Sequence, residues 1–531
     1  MKIVLAEKMS SSAVDLLREP QWEIVTPEQI GDALAAHLES ADALIVRSTV
    51  QVNADLLAKA RRLRVIGRAG VGVDNIELEL ATRQGIAVMN TPGANAVAVA
   101  EHTFAVMLAM ARHLCQANRL THAGRWEKKS LQGSELRGKT LGIVGLGRIG
   151  MEVARRARAF AMVVVAHDPF VSGAVAQEQG ITMASLEEVY AAADYLTLHV
   201  GLTSQTAGMI HAGSLSQMKP GLRLVNCARG ELVDEAALAE ALRQGRIAAA
   251  ALDVFVEEPL AHSRLQELDQ VVLTPHIAGS TEEAQEAVGY QIAMQVREYL
   301  LHGVIQNAVN VPSVSHDEYL ALQPYIVLAE RLGSFLAQIS EGALEEISLR
   351  YSGQIAEWKT ELIRNGAIKG ILNQALEEKA NLVNASAIAS ARGLRVQEAS
   401  PEKGATGVGS LLSIRVQTHR EEHLVKGGVL HARAPRLLHV DGIEVEAPLE
   451  RDLIYLRNRD VPGVIGKVGT ILGDHRINIA DFSLGRRESD KGHAPKEAIA
   501  VVHVDEVVPE AIVAELRKIS AVETAKAVRL F

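Results

Sequence analysis

The chain has 531 residues, a length that predicts three to four domains. Its 48% hydrophobic and 22% charged composition suits conventional globular cores and excludes collagen-like, low-complexity and long disordered classes. A net charge of −9 argues against wholesale binding to nucleic acid or an anionic membrane, and two cysteines, Cys115 and Cys227, cannot build a disulfide framework.

The opening run MKIVLAEK lacks the cleavage site of a secretory signal. The most apolar longer stretch, 96–111, is broken by Glu101 and His102 and falls short of a membrane span. A soluble, cytoplasmic protein is expected. Strands are predicted at 1–5, 43–46, 64–66 and 86–89, then at 141–144, 163–166, 195–200, 223–226, 249–253 and 271–274. Helical patterns separate most of them, so the fold class is α/β, with parallel sheets covered on both faces. At Asn310-Val311-Pro312 the alternation stops, and Ser313 and Ser315 follow, which predicts a linker. Residues 317–450 read as two helical segments and then alternating strands near 412–416 and 438–445. From Asp452 a strand, a Pro-Gly turn, a helix and further strands predict a small α+β module.

Residues 145–150 read GLGRIG, a G-x-G-x-x-G run that follows the strand 141–144 and opens a helix with an apolar stripe of Ile149, Val153, Ala157 and Phe160. Asp168 ends the next strand, 18 residues past Gly150. Glycines there let the backbone approach a pyrophosphate at the positive end of a helix, and the acidic residue binds ribose hydroxyls. A carboxylate at that place repels a 2′-phosphate, which predicts NAD rather than NADP.

In an open parallel sheet, ligands lie beyond the carboxyl ends of the strands. Three successive strand ends deliver Arg229, then Glu258, then His276 to one edge. Oxidising a 2-hydroxy acid with NAD needs a cation to hold the carboxylate, a base for the hydroxyl proton and a carboxylate to orient that base. Arg229, His276 and Glu258 are the candidates, with Asp253 beside the nicotinamide.

At these residues the chain resembles the D-isomer-specific 2-hydroxyacid dehydrogenase family. The matching pieces are 145–150 with Asp168, VNCARGELVD at 225–234, DVFVEEP at 253–259 and PHIAGST at 275–281. Arg229 and Glu258 are 29 residues apart, Glu258 and His276 18, which suits the family's Arg, Glu and His. The resemblance carries cofactor contacts onto Gly145, Gly147, Arg148, Ile149, Gly150, Asp168, Val200, Cys227, Ala228, Arg229, Asp253, His276 and Gly279. It is strongest toward the long branch of the family, whose members oxidise D-3-phosphoglycerate on the route to L-serine. GRAGVGVDN at 67–75, VMNTPGA at 88–94, VNASA at 383–387 and RNRDVPGVIGKVGTILGDHRIN at 457–478 carry that likeness. Val71 departs from it, since many relatives have Thr there.

The resemblance implies a Rossmann-like doubly wound cofactor domain (96–281) inserted in a flavodoxin-like substrate domain (1–95 and 282–312). An α+β intervening domain (313–450) and a ferredoxin-like ACT domain (451–531) would follow. It implies that Arg47 and Arg68 hold the substrate phosphate with Arg229 on the carboxylate, and that Asn95 contacts the substrate backbone. Asn458, Asp460 and Asn478 would bind an L-serine effector between two ACT modules of a homodimer or homotetramer. Glycines 463, 466 and 469 are poor helix formers, which predicts close approach of a second copy or a ligand. His419-Arg420-Glu421-Glu422-His423 fits an H-x-x-E-H zinc pattern, but it lies in a hairpin context rather than on a helix, and no metal is expected. The alternatives are another 2-hydroxyacid dehydrogenase (glyoxylate, hydroxypyruvate or D-lactate) or a non-catalytic NAD(H)-sensing regulator.

Overall fold

Strands buried along their whole length belong in a sheet covered on both faces, and Ala43–Val46 is buried at all four positions. The structure, a computed structural model, describes residues 1–374, 376, 380–399, 410–431, 433–487 and 497–530. Its first sheet comprises β1 (Lys2–Leu5), β2 (Glu23–Val25), β3 (Ala43–Val46), β4 (Val65–Arg68) and β5 (Ala87–Met89). Their order is β2-β1-β3-β4-β5 and every pairing is parallel, the flavodoxin-like arrangement.

The helix Ala96–Ala111 leads away to a second parallel sheet. It contains β6 (Thr140–Val144), β7 (Val163–His167), β8 (Thr182–Met183), β9 (Tyr195–Leu198), β10 (Leu222–Asn226), β11 (Ile247–Leu252) and β12 (Val271–Leu273). The spatial order is β12-β11-β10-β9-β6-β7-β8. The chain winds outward from β6 through β8, then returns to β9 on the other side of β6. That reversal opens a crevice at the carboxyl ends of β6 and β9, where such sheets take a dinucleotide.

The helix Glu282–His302 returns the chain to the first sheet, laying Ile292 and Val296 against Gly67 while Arg297 pairs with Glu19. The linker expected at 310–312 is pinned instead. The Asn310 amide accepts from the Val88 N–H at 2.9 Å and donates to Ile86 O at 2.9 Å, and Val311 is buried. A Pro flanked by serines reads as a break, but here Ser315 caps the helix His316–Ile339, with Glu318 completing a capping box.

That helix packs on Glu361–Leu372 and on a mixed sheet of β13 (Leu344–Ser352), β14 (Arg395–Ala399), β15 (Leu411–Thr418), β16 (Glu422–Leu430), β17 (Ala434–Val440) and β18 (Ile443–Pro448). Where two helical segments were expected, a third helix, Ala385–Ala391, is present. It is short and made of small residues, so its periodicity is faint. The chain ends in an antiparallel sheet of β19 (Arg451–Arg459), β20 (Ile479–Arg486), β21 (Glu497–Val504) and β22 (Val522–Leu530), ordered β20-β21-β19-β22. Two helices, Val464–Asp474 and Glu510–Leu516, cover one face of it with Val468, Leu472, Val513 and Leu516. On the other face Tyr455 meets Phe335 edge to face at 5.9 Å, joining the last sheet to the core of the preceding part. Among the described residues no helix is long and apolar enough to cross a membrane.

Candidate active site

The loop after β6 has the backbone that its glycines predict. Gly145 sits at φ +93°, and a Cβ there would lie 2.7 Å from the His199 carbonyl carbon. A Cβ on Gly150 would lie 2.2 Å from Gly145 O, so the helix Arg148–Ala159 can start this close to β6 only with glycine at that position. Gly147 faces open space, at the N-terminus of a twelve-residue helix. Asp168, just past β7, accepts the Leu146 N–H at 2.8 Å and the Phe170 N–H at 2.8 Å, which ties the acidic residue to the loop. An open glycine before a helix N-terminus, with a fixed carboxylate one strand away, fits the pyrophosphate and ribose of a dinucleotide. Arg148 reaches back to donate to Pro92 O, spanning the two parallel sheets, while Ile149 and Val200 are partly buried in the flanking cores.

Beyond β10, the buried Asn226 shapes the turn that presents Arg229. Its side chain accepts from Ala228 N–H at 3.0 Å and donates to Arg229 O at 2.7 Å. The Arg229 guanidinium donates to Asp74 from the first module at 3.1 Å and to Ala228 O at 2.6 Å. Cys227 beside it is buried, and burial with the nearby Asp253 charge pushes its thiol up to about 12. It is a packed apolar side chain rather than a nucleophile.

Beyond β11 and β12 lie the other two candidates. His276 Nδ1 stands 2.7 Å from Glu258 Oε2, and Glu258 Oε1 accepts the Phe255 N–H at 3.0 Å. A carboxylate on Nδ1 fixes the tautomer and leaves the Nε2 lone pair to take a proton. The His276 backbone is left-handed, at φ +52°. It is held by Asp253, which is 1% exposed and whose carbonyl accepts the His276 N–H at 2.8 Å. The Asp253 carboxylate accepts from Ile277 N–H at 2.9 Å, Ala278 N–H at 2.8 Å and the Thr274 hydroxyl at 2.6 Å. Burial pushes the Asp253 pKa up, but the hydrogen bonds from His102, Thr274, Ile277 and Ala278 outweigh it and leave the group below its ordinary value.

The first module supplies cations. Arg68, at the end of β4, is largely buried, donates to Ala69 O at 3.2 Å and has no partner for Nε. Burial and then the Arg229 guanidinium push its pKa below the ordinary arginine value, with Arg47 adding to the repulsion. Arg47 donates to Gln285, whose own amide donates to Gly279 O at 2.9 Å. Lys8, Ser10, Arg47 and Gln285 line a hollow of about 460 Å³, with Glu282 and Glu286 on its rim. Asn95 precedes the helix Ala96–Ala111 without a side-chain capping bond, its side chain lies beside Gly279, and its Oδ1 is buried without a partner. Val71 contributes only its carbonyl to a neighbour, accepting from Asn90 Nδ2 at 2.6 Å. Asp74, Gln285, His102 and Thr274 were not singled out from the sequence. His102 alone left a trace there, as a polar break in an apolar helix.

In the last module, Asn458 and Asp460 line a cavity of about 280 Å³, into which Phe482 and Arg486 also face. Asp460 pairs with Arg486 at 3.1 Å. Asn478 lies past the far end of the helix Val464–Asp474, bonded to Asp505 at 2.6 Å, and does not line this cavity. Among the described residues nothing lies within 4 Å of a Cβ built at positions 463, 466 or 469, so the glycine face of that helix is open to them. His419 and His423 flank the β15–β16 turn, where His419 accepts from Ala343 N–H and His423 pairs with Asp441 at 2.8 Å.

The model of the D-isomer specific 2-hydroxyacid dehydrogenase NAD binding domain matches residues 104–278. Models of the D-3-phosphoglycerate dehydrogenase intervening domain and the ACT domain match 321–441 and 453–521. A D-3-phosphoglycerate dehydrogenase of Methanocaldococcus jannaschii is 39% identical over 100% of both chains. One of Bacillus subtilis is 37% identical over 100% of this chain and 99% of its own. Among solved structures, the D-lactate dehydrogenase of Aquifex aeolicus complexed with NAD and lactic acid aligns with a TM-score of 0.51 at 29% identity. It covers 59% of this chain and 100% of that one. The cofactor of this NAD binding domain is NAD, and the chain belongs to the D-3-phosphoglycerate dehydrogenase family.

Proposed function

We propose that this protein oxidises D-3-phosphoglycerate to 3-phosphohydroxypyruvate with NAD, the first step of L-serine biosynthesis. The observation that carries this reading is the His276–Glu258 pair at 2.7 Å beside a cluster of three guanidiniums, at the mouth of a dinucleotide crevice. Arg229 binds the substrate carboxylate in place of Asp74, and Arg68 and Arg47 bind the phosphate. His276 Nε2 takes the hydroxyl proton while Glu258 stabilises the resulting imidazolium. Residues 145–150 and Asp168 would hold NAD, which would supply the acceptor for the hydride of the substrate C2. Bond orders balance: the C–H and O–H bonds break and a C=O forms.

The other 2-hydroxyacid dehydrogenases and the NAD(H) sensor have no observation in their favour. The solved lactate enzyme covers 59% of this chain, whereas the relatives named above run the full length. Turnover on D-3-phosphoglycerate should exceed turnover on unphosphorylated D-glycerate, and Arg47→Ala should lower kcat/KM about tenfold or more for the former only. Equal loss on both substrates would contradict a phosphate role for Arg47.

We further read the cavity at Asn458 and Asp460 as an L-serine effector site, completed by Asn478 of a second copy. The open glycine face supports this pairing of modules. A homodimer or homotetramer follows, supported also by Trp126 at 86% and Leu114 at 59% exposure. We divide the chain at 95, 281, 312 and 450, between the sheets. A cytoplasmic location is supported by the free thiols of Cys115 and Cys227.

A further inference from the structure

We propose that His102 is a positioning residue for the base, acting through Thr274 and Asp253 on the loop that carries His276. A left-handed backbone is strained for a residue other than glycine, so His276 keeps it only because its surroundings impose it. The imposing group is the Asp253 carboxylate. It takes the Thr274 hydroxyl at 2.6 Å on one side of His276, and the N–H groups of Ile277 and Ala278 at 2.9 and 2.8 Å on the other. Hydrogen bonds to a charged group are stronger than neutral ones, and three of them together outweigh the strain.

The Thr274 proton is committed to Asp253, so its oxygen can only accept from His102 Nε2, 3.1 Å away. Nε2 also lies 3.4 Å from Asp253 Oδ1. The His102 side chain is 16% exposed and Asp253 0%, so water competes little for these bonds. His102 belongs to the helix Ala96–Ala111, which begins directly after Asn95, whose side chain lies beside Gly279. One rigid element therefore touches the catalytic loop twice, at Gly279 through Asn95 and before His276 through His102.

The inference rests on His276 being the base of the proposed reaction. It is tested in the full-length protein with His102→Ala, His102→Gln, Thr274→Val and Thr274→Ser. Gln keeps a donor near the Nε2 place and Ser keeps the hydroxyl. The Ala and Val variants should lose about tenfold or more in kcat, with the KM for substrate and the NAD dissociation constant, read by tryptophan fluorescence, within about threefold. The low-pH limb of kcat/KM, which reports His276, should move in both. Gln and Ser should restore kcat to within about threefold, and the Ala/Val double variant should be no worse than either single one. Unchanged kcat and an unmoved pH limb, even with a lowered melting temperature, would overturn the proposal, as would losses that multiply in the double variant. An inactive wild-type protein would instead defeat the reaction itself, so the two failures are distinguishable.

Discussion

His199 has a place that shows how a titratable group can serve a site without entering its chemistry. It follows β9, backs the Gly145 turn and touches Thr197 Oγ1 at 3.0 Å, with Nδ1 buried and unpartnered. Desolvation of its ring pulls its pKa from 6.5 down to about 4. The folded protein thus resists a proton that the unfolded chain accepts. This stability is present above about pH 6.5 and is lost as the pH falls toward 4, by up to roughly 3 kcal/mol. Comparing melting temperatures from pH 7 to pH 4 checks the sign, because His199→Gln should show a shallower acid decline than the wild type. Parallel declines would show that His199 contributes nothing to it. The candidates at strand ends could be named from the sequence because such sheets take ligands beyond their carboxyl ends. Asp74, Gln285 and Thr274 were not, since their roles come from neighbours that lie 155, 238 and 21 residues away in the chain.

At the scale of elements, the parallel strands were readable because burial on both faces leaves unbroken apolar runs, as in β3 and β5. Short edge strands such as β8, two residues long, carry no such signal. The segment around Asn381 shows a contact that periodicity cannot reveal. Its Nδ2 donates to Gly85 O at 2.8 Å, and Asn384 donates to Arg83 O at 3.4 Å, so the third module caps the end of the helix Leu78–Arg83 in the first. Its Oδ1 also accepts the N–H groups of Val383 and Asn384, which shapes the loop before the helix Ala385–Ala391. Asn381→Ala leaves a part-buried carbonyl and two N–H groups short of partners, at a cost of about 1–3 kcal/mol. Protection of the 78–85 amides in hydrogen exchange should fall together with that of 381–391. A loss confined to 381–391 would contradict a latch between modules.

Across the whole molecule, the two modules with parallel sheets hold the candidates for chemistry, and the last module holds the second cavity. Arg47, Arg68 and Asn95 come from the first sheet's side of the cleft, while Arg229, Glu258 and His276 come from the second. The site therefore exists only where the two meet. In the proposed reaction His276 accepts the proton there and Arg229 holds the carboxylate. Steady NADH formation from D-3-phosphoglycerate tests it most directly. His276→Ala and Arg229→Ala should each lose about a thousandfold or more in kcat/KM while NAD binding persists. Near-normal turnover in either variant would contradict the account.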